Sequence, residues 1–154
     1  MKEDKHFIFV PGIWLGEGNI SFSLSPNSLR FAMRWTVKQE EKQSITCIQE
    51  IEIEEITERM CNTFVFSEIK DNSFQITLSN EILGKVHGKG VIDSQLFAWE
   101  FHDKSADFEG YEIFEKKDKE NFIMRAEYSS KDQTRTTIAG SIWRKVQTTE
   151  GTSP

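Results

Sequence analysis

The sequence predicts one all-β domain: a closed or nearly closed antiparallel up-and-down β-barrel of about ten strands, with no helical lid. Three observations predict it. Apolar and polar residues alternate along most of the chain, the period of half-buried strands rather than of helices. The alternating segments are joined by short turns, as in a run of hairpins. An open sheet with so many strands would leave unpaired edges, and closure into a barrel removes them.

The elements follow in order. "IWL" opens the first strand behind Gly12, and "GEGN", residues 16–19, reads as a tight turn into "NISFSLS". There Ile20, Phe22 and Leu24 share one face and Ser21, Ser23 and Ser25 the other. "PN" then turns into "LRFAMRWTV", which sets Leu29, Phe31, Met33, Trp35 and Val37 opposite Arg30, Ala32, Arg34 and Thr36. "SITCIQEIEIEEI" is a long strand whose phase shifts near Gln49-Glu50, where a bulge is expected. Its glutamates resemble those of a helix, but Ile51 and Ile53 alternate with Glu50, Glu52 and Glu54 at a spacing of two, so the outer face of a strand is acidic. "CNTFVFSEI", the turn "KDN" and "SFQITLS" follow, the last aligning Phe74, Ile76 and Leu78. "KVHGKGVID" is broken by glycines, as a strongly bent strand is. "QLFAWEFH" aligns Phe97, Trp99 and Phe101, and "DFEGYEIFE", "NFIMRAEYS" and "TRTTIAGSIWRKV" complete the set.

Composition narrows the function. The net charge is −6, from 19 Lys and Arg against 25 Asp and Glu, with no basic run. A nucleic-acid partner calls for the reverse balance, and anionic membrane surfaces are disfavoured for the same reason. No apolar stretch approaches the ~18 residues that a membrane-spanning helix needs, so no membrane insertion is expected. A hairpin turning near Glu58-Arg59 sets Cys61 opposite Ile56, outside disulfide reach of Cys47, so both thiols are expected free. With "MKEDKHFIFVPG" making a poor signal peptide, the expected compartment is the cytoplasm. Residues 1–147 form the barrel domain and 148–154, "TTEGTSP", a flexible tail.

Gly12-x-Trp14 at the head of the first strand and "GSIWRK" at the end of the last resemble the calycin-type barrels, the lipocalin and fatty-acid-binding group. The likeness spans the strand order over most of the chain, with identifiable residues at its two ends. It implies that Gly12, Trp14 and Arg144 close the barrel base, the cation of Arg144 (or Lys145) lying over the Trp14 indole; such a contact stabilises by about 0.5–2 kcal/mol. The lid, the helix after the last strand and the disulfides of those families are missing here. A smaller similarity, to the bilin-attaching lyases of phycobiliproteins, rests on the lid-less layout and on "EYSSKDQTRTTIAGSIW", a polar, Arg-containing strand near the end.

Charged groups concentrate in the second half: Glu100, His102, Glu109, Glu112, Arg125, Glu127 and Arg135. Two phases are open. With the rings of "LFAWEF" and the Phe122, Met124, Ala126, Tyr128 face inward, these charges form a solvated ladder. In the inverted phase Arg125 and Arg135 enter the barrel as forked donors to an anionic group, held by Glu100 and Glu127. The histidines His6, His87 and His102 are scattered without metal-ligand spacing, so no metal and no cofactor is expected. The glycines of "GKVHGKG" lack the spacing and helix of a phosphate loop.

The leading expectation is a non-catalytic binder of a small apolar or amphipathic molecule. Its site comprises Phe22, Phe31, Met33, Trp35, Phe64, Phe66, Trp99 and Tyr128, with Arg125 or Arg135 as polar anchor. A tightly packed barrel centre, with no cavity above roughly 300 Å³, would count against such a binder. A different class, a filled barrel serving as a protein-interaction module through the acidic "QEIEIEE" strand or an exposed ring patch, stays open, with a protein partner or homodimer. So does a catalytic barrel with Glu100 or Glu127 as an inward acid.

Overall fold

Alternating segments close into a cylinder because each strand finds its partner next along the chain. The computed structural model describes residues 6–105, 107–130 and 134–146. Its strands are β1 (Gly12–Phe22), β2 (Leu29–Val37), β3 (Ile45–Ile53), β4 (Met60–Ser67), β5 (Ser73–Asn80), β6 (Gly84–Ile92), β7 (Leu96–Asp103), β8 (Phe108–Asp118), β9 (Asn121–Ser130) and β10 (Arg135–Arg144). All neighbours are antiparallel, and β10 returns to β1, so the barrel is closed and up-and-down. Residues 23–28 join β1 to β2 without a helix, so there is no helical lid. No α-helix occurs among the described residues, and no helix there is long and apolar enough to cross a membrane.

Up-and-down order places residues 23–28, 54–59 and 81–83 at one end, the mouth, together with the ends of β7 and β9 and the starts of β8 and β10. The other end is closed from inside. Val10 ends a 3₁₀ turn (Phe7–Phe9) that tucks Phe7 and Ile8 under the strands with no exposure. The Phe7 ring lies 5.2–5.5 Å from those of Trp14, Trp35, Phe97, Phe114 and Phe122. Ring pairs at this spacing add stabilisation beyond the area they bury. The run "FIF" before Pro11 is therefore a plug, which the sequence reading did not identify. His6, also buried, donates from Nε2 to the Asp93 carbonyl at 2.7 Å, tying the plug to the β6–β7 turn.

Trp14, opposite Arg144 in the β1–β10 register, is wholly buried at this end. Its indole N–H donates to the Val10 carbonyl at 3.1 Å, and the Arg144 guanidinium sits 5.9 Å from the ring centroid. Gly12 has φ +133°, a conformation that a side chain disfavours, and a Cβ there would lie 3.8 Å from Arg144 Nη2.

Three local expectations are corrected. "GEGN" is not a turn: β1 runs through it, with Gly16 paired to Met33 and Gly18 to Phe31. A Cβ on Gly16 would come within 3.0 Å of Met33 Cγ, so small residues here give the interior side chains room. The bulge expected at Gln49-Glu50 is absent, since β2–β3 pairing is unbroken from Phe31↔Ile53 to Val37↔Cys47. Gln49 looked out of phase only because it is a polar residue on the inner face. The β3–β4 hairpin pairs Ile51 with Met60 and Glu50 with Cys61, so it turns earlier than Glu58-Arg59, and Glu55 takes the left-handed φ of +69°. Cys47 and Cys61 are both free. The tail expected at 148–154 lies outside the described residues.

The glycines of β6 serve space rather than a phosphate. A Cβ on Gly90 would collide with the Phe74 ring at 2.1 Å, so the missing side chain lets that ring fill the core beside β6.

Candidate functional site

The interior is filled unevenly. Towards the closed end, Trp35, Trp99, Phe97 and Phe114 pack ring on ring, with Phe97 and Phe114 stacked at 4.8 Å. Towards the mouth the filling stops and leaves a cavity of about 270 Å³. This is slightly smaller than the roughly 300 Å³ expected of a site that encloses a drug-sized molecule. It limits the occupant to a small molecule, or to one end of a longer one that leaves through the mouth.

Of the residues expected to line such a site, Phe22, Phe31, Met33, Phe64 and Tyr128 do so. Trp35, Phe66 and Trp99 are buried in the packed layers outside the lining. Arg125 and Arg135 are exposed on the outer face, and neither borders the cavity. Arg135 Nε pairs with Glu127 Oε2 at 3.1 Å, and Glu100 is also exposed. The outward, solvated phase of these charges is thus the one adopted, because Phe97, Trp99 and Phe101 on β7 and Phe122, Met124 and Ala126 on β9 take the inner positions. Neither an arginine anchor nor Glu100 or Glu127 as inward acid is present in the cavity.

Other polar groups occupy its walls. On β8, Glu112 is only 5% exposed, and from β9 the Tyr128 hydroxyl donates to its Oε2. Glu112 Oε1 is buried with no hydrogen-bond partner, and so is Trp99 Nε1 on β7. Burial pushes the Glu112 carboxyl up to about 7; the Tyr128 hydroxyl and the nearby indole N–H of Trp99, close but outside hydrogen-bonding geometry, draw it partly back. Burial, and then the Glu112 charge, hold the Tyr128 phenol well above its ordinary value.

Across the barrel, β3, β4 and β5 carry a ladder of amides. Gln49 Nε2 reaches Met33 Sδ at 3.6 Å, Asn62 Nδ2 donates to Gln49 Oε1 at 2.7 Å, and Asn80 Nδ2 donates to Asn62 Oδ1 at 2.9 Å. Asn80 Oδ1 then accepts the backbone N–H groups of Ile82 and Leu83 at 3.0 and 2.7 Å, which fixes the β5–β6 turn at the mouth. Around that mouth, Ile82 is 90% and Leu24 83% exposed. Single exposed apolar residues are ordinary, but these stand at the rim of an apolar cavity.

Sequence reading counted Glu112 among the charges of open phase without assigning it to the site and did not single out Gln49, Asn62 or Asn80; parity is the signal that finds them. Each stands in step with core residues of its own strand: Glu112 with Phe108 and Phe114, Gln49 with Cys47 and Ile53, Asn62 with Phe64 and Phe66, Asn80 with Ile76 and Leu78.

No protein-family model and no curated protein matches this chain. Its fold is similar to that of the S-type phycobiliprotein lyase CPES from Guillardia theta, with a TM-score of 0.72 and 9% identity over 96% of this chain and 97% of that one. It is also similar to Rv2717c from M. tuberculosis, with a TM-score of 0.69 and 10% identity over 89% and 93% of the two chains. A third likeness is to EF1p2_mFAP2b, solved bound to DFHBI, with a TM-score of 0.50 and 10% identity over 93% and 99%. At these identities the likeness is one of fold: a closed antiparallel up-and-down barrel.

Proposed function

We propose that this chain is a non-catalytic binding protein for one small, largely apolar molecule held in the mouth half of the barrel. The observation that carries the reading is the abrupt end of the aromatic filling, which leaves an open cavity of about 270 Å³ walled by Phe22, Phe31, Met33, Phe64, Leu78 and Met124. Concave apolar sites with a few polar groups are the usual form of small-molecule sites. The phycobiliprotein lyase and EF1p2_mFAP2b support it as barrels of similar fold, the second of them solved bound to DFHBI. Membership of the lipocalin or fatty-acid-binding families is part of the proposal only through Gly12, Trp14 and Arg144 at the closed end.

Native mass spectrometry of the freshly purified protein tests it. The expected result is a retained small molecule in the wild type that is lost in Leu78→Trp, where the indole fills the cavity. An apo mass in both, together with no thermal shift from small aromatic probes, overturns it.

A second reading, a protein-interaction module, is favoured by the outer face of β6–β8. Val91, Ala98 and Ile113 stand in register across these strands, beside the 41%-exposed Tyr111. Charge introduced by Val91→Lys should abolish any self-association seen by light scattering; an unchanged mass in a monomeric protein counts against a homodimer through this face.

A further inference from the structure

Resting on the binder reading, we infer that the occupant is a cationic amphiphile: an alkyl- or arylalkyl-ammonium whose N–H donates to Glu112 Oε1 while its apolar body lies among Phe31, Phe64 and Phe108. Glu112 lines the cavity, and its Oε2 already accepts from Tyr128. Oε1 is buried with no hydrogen-bond partner, the nearby Trp99 indole N–H being likewise unpartnered, so a small side-chain turn brings Oε1 to a donor in the cavity. Leaving a buried acceptor unmade is costly. No Lys, Arg or His stands among the described residues that line the cavity, so the chain supplies no countercharge to this carboxylate there. An isolated buried carboxylate is unfavourable without a partner, and a ligand cation supplies both the charge and the donor. Phe22, Phe31, Phe64, Phe108 and Tyr128 border the cavity, and a ring that turns its face to the polar end favours a cation over an anion there.

The groups facing Glu112 leave the carboxyl as the one that governs binding near neutral pH. From β9 it meets Tyr128, and from β7 Trp99, which does not titrate. The opposite wall offers the neutral amides Gln49, Asn62 and Asn80. The inward Lys116 stands four residues farther along β8 towards the closed end, its Cα about 13 Å away at strand rise, and it acts on His6 there. Burial holds Glu112 up near 7, so the ammonium must displace a proton below that pH.

Calorimetric titration with 2-phenylethylamine, and with 2-phenylethanol and phenylacetate as neutral and anionic analogues of similar shape, tests the assignment. At pH 8 the amine should bind about tenfold or more tightly than the alcohol, the margin of a charge-assisted over a neutral hydrogen bond, and phenylacetate should not bind. In the wild type the amine affinity should fall by up to about tenfold per pH unit below 7, since a single proton is exchanged. An alkylamine titrates near the lysine value of about 10 and stays charged throughout that range. In Glu112→Gln the amine and the alcohol should bind alike. Equal affinities in the wild type, an amine preference that survives Glu112→Gln, or an amine affinity flat from pH 5 to 8 would each overturn the amine assignment while leaving the binder reading in place. Binding by none of the probes overturns it too, and the retained molecule in native mass spectrometry then decides the binder reading separately.

Discussion

Tyr128 donates its hydroxyl to Glu112 across the β8–β9 pair, inside the barrel, and the other carboxylate oxygen is left without a partner. The pair sets a pH dependence whose sign follows from burial. In the fold the Glu112 carboxyl is pushed up to about 7 from an ordinary 4.5. Its protonated form is therefore favoured by folding. The contribution is fully present below about pH 4.5 and is lost as pH rises through 7. Urea denaturation of the wild type and Glu112→Gln at pH 5 and pH 8 measures it. The variant should gain stability relative to the wild type on going to pH 8, by no more than about 3 kcal/mol. A constant difference between the two pH values would show that Glu112 is not held in an apolar setting.

His6 titrates in the opposite sense. Burial, foremost, lowers it below 6.5, the nearby Lys116 acts the same way, and the Asp93 carbonyl opposes them. A base kept neutral in the fold contributes stability that is present above pH 6.5 and lost as the pH falls below it. Because Phe7 follows His6 directly, this loss should loosen the plug. Wild type should lose stability between pH 7.5 and 5.5 more steeply than His6→Gln, read as the shift in urea midpoint; parallel curves would remove His6 as the cause.

The amide ladder predicts a local effect at the mouth. Asn80→Ala leaves the Ile82 and Leu83 N–H groups and Asn62 Oδ1 without their partner. The expected cost is about 1–3 kcal/mol, and hydrogen exchange should accelerate at Ile82 and Leu83 before it changes at Trp35. Uniform acceleration over the whole barrel would mean that Asn80 supports the fold globally rather than fixing the turn.

The two thiols should separate cleanly by reactivity. Cys47 is buried and pushed up to about 12 by burial, while Cys61 is exposed on β4. Thiolate is the reactive form. Under native conditions at pH 8, Ellman's reagent should therefore modify Cys61 promptly and Cys47 only on unfolding; prompt release of both would show that the β3–β4 region opens.

Parity explains what the sequence discloses and what it conceals. Strand order and closure are legible because runs such as Phe31, Met33, Trp35 and Val37 face arginines and a threonine, leaving no doubt about which side is inside. "FEGYEIFE" is ambiguous, since Phe114 argues for one parity and Tyr111 and Ile113 for the other, so Glu112 reads as surface charge. Gln49 reads as a phase break for the same reason: a polar residue on an inner face is indistinguishable from a bulge until its neighbours on β2 and β4 are paired. The plug at Phe7 is hidden differently. Three residues before a proline have no period, and only the space beneath Trp14 and Trp35 gives them a role.

Pairing of β1 with β10 has one practical consequence. Gly12 and Arg144 both stand at the plugged end, so β1 begins and β10 finishes on the face turned away from the mouth. A fluorophore or surface linker attached at Lys145, just after β10, sits at the rear of the vessel, away from the mouth that Ile82 borders. Held through Lys145, the molecule keeps its aperture facing solution, a geometry suited to measuring how a small guest enters and leaves.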